Sequence, residues 1–353
     1  MTSSLFNSKT KCQKILVIQF KYLGDAVFIT PALQAIQLKN PEAEIHLLVA
    51  KEVAPIFEHI DFIKKIWALP RTRGKAKVLQ ALPFIRKLRN ERFDTSIDFV
   101  GNDRGGILSI LVGAKSRLAA IEGNPTFLQR LAYTKTVQTS LLPASWVKRH
   151  LSMLVLLFGT SESYTPDMKI FADLSLTSKA KEALDGNEII CHLGTSQPKK
   201  EWPIHRWVEF YQLATQAGYQ LAFSTGTNQR EQDLIIELKK SLPYAFALAP
   251  SNNLAMYLAI LSQARIVISG DTGPLHFAAG LGVKVIGLFG TADSVRHAAP
   301  IYKTHELVMT RPCTCVSELA EYTTCQSSDA CMQSISARDV FELLKERYPL
   351  KEA

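Results

Sequence analysis

The 353-residue sequence predicts an α/β protein made of two tandem, doubly wound parallel sheets. Three observations predict it. Apolar, β-branched strand candidates alternate with stretches of helical period; the alternation breaks at a polar stretch after Gly159 and then starts afresh; and the chain is too long for one ordinary core. The expected division is an N-terminal domain over residues 1–160, a connection over 161–186, a second domain over 187–335 and a closing helix over 336–353.

Residues 14–20 form the first strand candidate, nearly continuous in apolar side chains, as a parallel strand buried on both faces requires. Gly24 and Asp25 then turn the chain into a helical stretch, where Thr30-Pro31 is either a second helix start or a kink ahead of Leu33, Ile36 and Gln37. Strand candidates follow at 44–49, 62–69 and 95–100, separated by helical or loop material. The connection is mixed, polar and contains Pro166. Beyond it a strand at 188–193 leads into Trp207, Phe210, Tyr211 and Ala214 at helical spacing. A strand at 220–224, a helix after Asn228, a short strand near 245–248 and a helix over 252–262 continue the alternation. Next come a strand over 266–268 that enters a Ser-Gly-Asp-Thr-Gly-Pro turn, and another at 284–289. The last segment, 336–348, is amphipathic, with Val340, Leu343 and Leu344 on one side. No low-complexity tract or short-period repeat interrupts this pattern.

Apolar residues make up 47% and charged residues 21%, the profile of an ordinary globular protein rather than a disordered one. No apolar run approaches the roughly 18–20 residues that span a bilayer. Residues 1–14 are polar and lack the apolar core and cleavage site of a signal peptide, so a cytoplasmic location is expected, where disulfides are not the default. Forty-one basic against 32 acidic side chains give a formal charge of +9, which favours anionic partners: phosphorylated substrates, acidic lipid headgroups or nucleic acid. Nucleic acid is the least favoured, because the aromatics do not interleave with Lys and Arg in a stacking pattern.

Ligands of such folds bind outside the carboxyl ends of strands, and two tandem domains present those ends on either side of one cleft. Four strand-end loops therefore matter. Residues 21–25 present the Asp25 carboxylate near a helix start, where it serves either as a general base or as a cap. In 195–203, the hydroxyls of Thr195 and Ser196 and the ammonium groups of Lys199 and Lys200 surround a proline-bent loop, a composition that fits a diphosphate and equally a solvated surface. Residues 224–231 form a polar turn suited to a ribose or base. In 269–274, Gly270 and Gly273 allow close backbone approach, Asp271 or Thr272 can cap the next helix, and Pro274 suits its first turn. A Gly-x-Gly-x-x-Gly nicotinamide fingerprint and a Gly-Lys-Ser/Thr phosphate loop are both missing, which counts against dehydrogenases and P-loop enzymes.

The order and wording of these motifs resemble the ADP-heptose:lipopolysaccharide heptosyltransferases, glycosyltransferase family 9. The resemblance runs from about Lys14 to Tyr348 and rests on residues 21–31, 194–203, 269–282 and 288–293; less sharply, residues 97–101 and 109–117 match the acceptor domain. It implies the GT-B fold, two Rossmann-like domains with the acceptor on the N-terminal one and the nucleotide sugar on the C-terminal one. It implies an inverting transfer of heptose from ADP-heptose to a hydroxyl of the lipopolysaccharide inner core. By the same likeness Asp25 is the catalytic base. Thr195, Ser196 and Lys200 hold the diphosphate, with Lys200 and helix-end N–H groups stabilising the departing ADP so that transfer requires no cofactor. Asp271, Thr272, Gly273 and His276 belong to the donor motif, and Lys21 sits where relatives carry a basic residue for acid groups of the acceptor. The ribose position falls on Gln229, Arg230 or Glu231, of which Glu231 supplies the expected carboxylate. The implied partners are ADP-heptose, a lipopolysaccharide core precursor and the anionic cytoplasmic face of the inner membrane, to which the enzyme would bind peripherally. A protein or other glycan acceptor is the alternative, as is a non-catalytic nucleotide-binding protein of the same fold.

Cys313, Cys315, Cys325 and Cys331 cluster within nineteen residues. Their spacing lacks the paired Cys-x-x-Cys knuckles of a strong zinc site, so a structural metal, disulfides and free thiols all stay open.

Overall fold

The strands of the N-terminal unit are β1 (Lys14–Gln19), β2 (Glu44–Ala50), β3 (Ile63–Leu69), β4 (Thr95–Asp98), β5 (Ser116–Ile121) and β6 (Lys135–Gln138). They pair in parallel in the order β3-β2-β1-β4-β5-β6. The helices between and after them are α1 (Thr30–Lys39), α2 (Val78–Asn90), α3 (Asp103–Val112), α4 (Phe127–Ala132), α5 (Trp146–Met153) and α6 (Val155–Phe158). The second unit repeats the plan with β7 (Ile189–His192), β8 (Leu221–Ser224), β9 (Phe246–Ala247), β10 (Ile266–Gly270), β11 (Lys284–Phe289) and β12 (Glu306–Met309), in the order β12-β11-β10-β7-β8-β9. Its helices are α7 (Thr177–Leu184), α8 (Ile204–Gln216), α9 (Gln229–Ser241), α10 (Leu254–Gln263), α11 (Gly273–Gly280) and α12 (Ala337–Arg347). The structure, a computed structural model, describes residues 13–20, 23–69, 78–160, 167–290, 297–298, 306–309 and 332–350, and the chain divides into units Met1–Ile170 and Phe171–Ala353.

Both sheets are doubly wound, and this follows from the sequence. In β1, Ile15 to Ile18 are fully buried because helices cover both faces; Leu16 and Ile18 pack with Leu88, Phe93 and Leu108 on the side of α2 and α3. The strand order reverses between β1 and β4 in one unit and between β7 and β10 in the other. Those are the points where adjacent connections leave to opposite faces and open a crevice at the strands' carboxyl ends.

Thr30-Pro31 is a helix start: a 3-10 turn, Gly24–Ile29, runs straight into α1 with proline in its first turn. The stretch read as a connection over 161–186 contains α7, whose Ala180 and Leu184, one turn apart, are buried in the second unit. Its short apolar stripe was masked by the Ser, Thr and Lys around it. β5 and β6 escaped the sequence reading, since Lys135–Gln138 is an edge strand of mostly polar residues. The closing helix begins one residue after its Ser336 cap, whose side chain accepts from the Asp339 N–H at 3.0 Å. Val340 and Leu344 are buried against the side of α8 that carries Trp207 and Phe210.

Candidate functional site

In the second unit, β7 and β10 are neighbours at the point of strand reversal, and their carboxyl ends carry the two richest motifs. Asp271 follows β10 directly and is nearly buried. Its Oδ2 lies 2.6 Å from Lys200 Nζ, and its Oδ1 3.4 Å from Nε2 of His276, one turn into α11. Burial by itself would raise the Asp271 carboxyl. The hydrogen bond with His276 and the Lys200 charge outweigh it and hold the group well below the usual carboxylate range. Thr272 stands at the N-cap of α11, and its side chain makes no capping hydrogen bond. Asp271 is not the cap either; its carboxylate is directed to Lys200 and His276. The first N–H groups of α11, beginning at Gly273, lie beside this ion pair, where an anion would be favoured.

The loop that carries Lys200 is braced from three sides. Trp202 Nε1 donates to the Ile335 carbonyl at 3.0 Å, and its ring meets Trp207 edge-on with centroids 4.7 Å apart, so the segment leading into α12 and the core side of α8 fix the loop's far end. At its near end the Thr195 hydroxyl donates to the Gln197 carbonyl at 2.6 Å and accepts from the Gln197 N–H at 3.3 Å. That hydroxyl is engaged within its own turn, whereas Ser196 is exposed. Arg230 bridges the loop to α9 by donating to the Thr195 carbonyl and to the Glu201 carboxylate. Burial pushes the Glu201 carboxyl up, against the pull of Arg230. Gly270 serves this packing: a Cβ there would stand 2.7 Å from the Lys200 carbonyl oxygen. The close backbone approach expected at Gly270 is made here by the lysine loop.

Among the three residues that competed for the ribose position, Glu231 is the buried one. Its Oε2 accepts from the Gly226 N–H at 2.7 Å and its Oε1 from Asn228 Nδ2 at 2.6 Å. Asn228 also caps α9 by accepting from the Glu231 N–H at 3.0 Å. Arg230 is directed to the Lys200 loop and Gln229 to Asp233 on the surface. Gly194 is needed here, because a Cβ would sit 2.0 Å from Glu231 Oε2. The carboxylate is thus wedged between the ends of β7 and β8.

Beneath it lies a polar cluster that the sequence did not reveal. His192, at the end of β7, has Nδ1 2.9 Å from Ser224 Oγ and 3.2 Å from the Tyr257 hydroxyl. Full burial pushes the imidazole down to about 3, so it stays neutral, and burial also pushes the Tyr257 phenol up. Ser269 donates to the His192 carbonyl at 3.2 Å, tying β10 to β7 at the first residue of the motif.

In the N-terminal unit Asp25 is half-buried in the first turn of the 3-10 segment after β1. That segment is held by α5: His150, buried, donates from Nδ1 to the Phe28 carbonyl at 3.1 Å and stands edge-on to Phe99. Thr30 closes the turn by donating to the Val27 carbonyl at 2.8 Å. Gln19, the last residue of β1, is 1% exposed, and among the described residues neither atom of its amide has a hydrogen-bond partner. Asp98, which ends β4, accepts from the Tyr133 hydroxyl at 2.6 Å and from the Val100 N–H at 2.8 Å. It lies under Gly105, where a Cβ would come 1.8 Å from its Oδ2. No sequence pattern pointed to His150, Gln19 or Tyr133. Lys21, Cys313, Cys315, Cys325 and Cys331 lie outside the described residues, and among the described residues no group of three or more His, Cys, Asp or Glu is placed to hold a metal ion.

The family described as glycosyltransferase family 9 (heptosyltransferase) matches residues 81–326, more than half of the chain. The chain belongs to glycosyltransferase family 9. It is 23% identical over 351 residues to lipopolysaccharide heptosyltransferase 1 of Campylobacter coli, covering 95% of this chain and 99% of that one. A glycosyl transferase of family 9 from Veillonella parvula superposes with a TM-score of 0.78 at 18% identity, covering 95% of this chain and 96% of the other. The Escherichia coli heptosyltransferase WaaC, solved with ADP-2-deoxy-2-fluoro heptose, does so at 0.69 and 16%, covering 95% and 99%. This family 9 chain is therefore a glycosyltransferase with two parallel-sheet α/β domains of the GT-B class. Among its described residues no helix is long and apolar enough to cross a membrane.

Proposed function

We propose that the protein transfers heptose from ADP-heptose to a hydroxyl of the lipopolysaccharide inner core, with inversion at the anomeric carbon, while bound peripherally at an anionic membrane surface. The observation that carries the donor half is the convergence of Lys200, Asp271, His276 and the start of α11 at the strand reversal of the second unit. Lys200 would meet the diphosphate and stabilise charge on the departing ADP, helped by the N–H groups of Thr272 and Gly273. Asp271 holds that ammonium ready, and His276 orients Asp271. Ser196 offers an exposed hydroxyl to the phosphates, and Thr195 shapes the loop that presents it. Glu231, fixed by Gly226 and Asn228, would accept from the ribose hydroxyls.

Asp25 would remove the proton from the acceptor hydroxyl as that oxygen attacks the anomeric carbon. Its placement in a turn braced by α5 at the carboxyl end of β1 supports this role, as does the family's motif around it. Lys21 would meet acid groups of the acceptor.

Thermal shift of the purified protein with ADP, UDP, GDP, CMP and NAD tests this reading, because a ligand that binds the native state raises the melting point. Selective stabilisation by ADP is expected. A preference for UDP or GDP would overturn the donor assignment, and a protein indifferent to all five would overturn the donor site itself.

A further inference from the structure

We propose that the outward faces of α3 and α4 dock the protein on anionic lipid headgroups. The inference rests on the reading of a membrane-bound enzyme and locates the surface responsible. Phe127 and Leu131, one turn apart on α4, are 85% and 62% exposed; Ile107 and Leu111, one turn apart on α3, are 46% and 37% exposed. Single exposed apolar residues are ordinary, but four large ones on the outer sides of two helices that pack on each other single out this part of the surface.

The two helices are locked as one surface. Thr126, the α4 cap, donates to Asp103 Oδ1 at 2.8 Å, and Gln129 Nε2 donates to the Gly101 carbonyl at 3.0 Å. Gly106 lies against Ala132, so close that a Cβ on it would stand 3.1 Å from the alanine Cβ. On α3 the buried residues Gly105, Leu108, Ser109 and Val112 define the inward side. The 100° step of the helix then carries Ile107 and Leu111 to the outward side, on the flank toward α2.

The charge around the patch selects its partner. Arg104 and Arg130 are exposed on the same helices, and Arg86, Lys87 and Arg89 are exposed on α2, which packs beside α3. Arg89 donates to the Leu111 carbonyl at 3.2 Å, which sets its guanidinium at the patch edge. The carboxylate on these faces, Asp103, already accepts from Thr126, and Glu91 beyond α2 is paired with Lys14 and Lys65. An apolar face with aromatic and leucine anchors and a basic rim matches the interface of an anionic leaflet, where rings and methyls enter the headgroup layer and cations meet phosphates. A second copy of this face would oppose like charges.

The test is flotation of the full-length protein with vesicles. At low ionic strength it should float with phosphatidylcholine vesicles containing phosphatidylglycerol, not with pure phosphatidylcholine, and binding should fall as salt rises. Phe127→Ser combined with Leu131→Ser should weaken binding on the order of a hundredfold. Arg86→Glu with Lys87→Glu should weaken it roughly tenfold or more. Leu174→Ser, at an 84% exposed apolar residue of the other unit, should bind as the unmodified protein does. All variants should keep the melting-point response to ADP, a readout of the donor site that is independent of vesicles; its loss in the unmodified protein would count against the proposed function while flotation still judges the surface. Undiminished flotation of the serine variant, or equal binding to neutral vesicles, would overturn the docking surface. So would a dimer in sedimentation that the serine variant abolishes, which would assign this face to a second copy.

Discussion

Asp271→Asn removes one charge from the proposed donor site while keeping the side chain's shape. The carboxylate it replaces has Lys200 Nζ at 2.6 Å and His276 Nε2 at 3.4 Å, and the side chains of Asp271 and Lys200 are 10% and 17% exposed. Because its folded pKa is depressed, the ionised carboxylate contributes stability at any pH above its unfolded value of about 4, and that stability is lost only as the pH falls from there through the lower folded value. The gap between the two proteins should therefore be constant from about pH 5 to 8. Removing one member of a buried pair costs about 3–5 kcal/mol, and the residual exposure puts this case at the lower end, about 3 kcal/mol. For a unit of this size that is roughly 6–12 °C in melting temperature. Thermal unfolding with and without ADP is the assay. The diphosphate supplies Lys200 with the counter-charge that asparagine cannot, so ADP should raise the variant's melting temperature by more than it raises that of the unmodified protein. An unchanged melting temperature without ligand would refute the pair's contribution, and an ADP response no larger than normal would refute the placement of Lys200 at the diphosphate.

Gly194→Ala places a methyl 2.0 Å from Glu231 Oε2 and must push that carboxylate away from Gly226 and Asn228; titration calorimetry should show ADP binding weakened roughly tenfold or more, as loss of a charge-assisted hydrogen bond requires, and undiminished affinity would remove Glu231 from the ribose site. His192 is held neutral, with its pKa pushed down to about 3, while the unfolded chain takes up its proton near pH 6.5. Stability should accordingly fall as the pH drops below that value, and His192→Gln should flatten the slope by close to one proton, read from urea unfolding at a series of pH values; an identical slope would contradict a neutral buried imidazole. Gln19→Leu should leave stability unchanged or raise it, because it removes a buried amide whose two polar atoms lack partners among the described residues; a loss beyond about 1 kcal/mol in urea unfolding would mean that the amide is satisfied in the native protein.

The strands buried on both faces were legible because such a strand can hardly be anything but a run of apolar, β-branched residues: β1, β2, β7, β10 and β11 all read that way. β6 was not, because an edge strand with one poorly covered face is free to carry lysine, threonine and glutamine. Half of the candidate site was legible as well. The loop motifs could be read for glycine and carboxylate at strand ends, which named Asp25 and Asp271, while Lys200 was singled out from its neighbour Lys199 by the family resemblance. What holds those groups could not be read, since the pairing of Trp202 with Ile335 spans 133 positions and that of His150 with Phe28 spans 122. The ambiguity among Gln229, Arg230 and Glu231 had the same origin: only the fold shows that Arg230 reaches the Thr195 carbonyl while Glu231 turns into the space left by two glycines.

The central claim is tested most directly by incubating the protein with ADP-heptose and a heptose-deficient lipopolysaccharide acceptor and weighing the acceptor by mass spectrometry. The account predicts an acceptor heavier by one heptosyl residue with release of ADP, and no product from Asp25→Ala although that variant still binds ADP. An acceptor of unchanged mass with the unmodified protein, or undiminished product from the alanine variant, would contradict it.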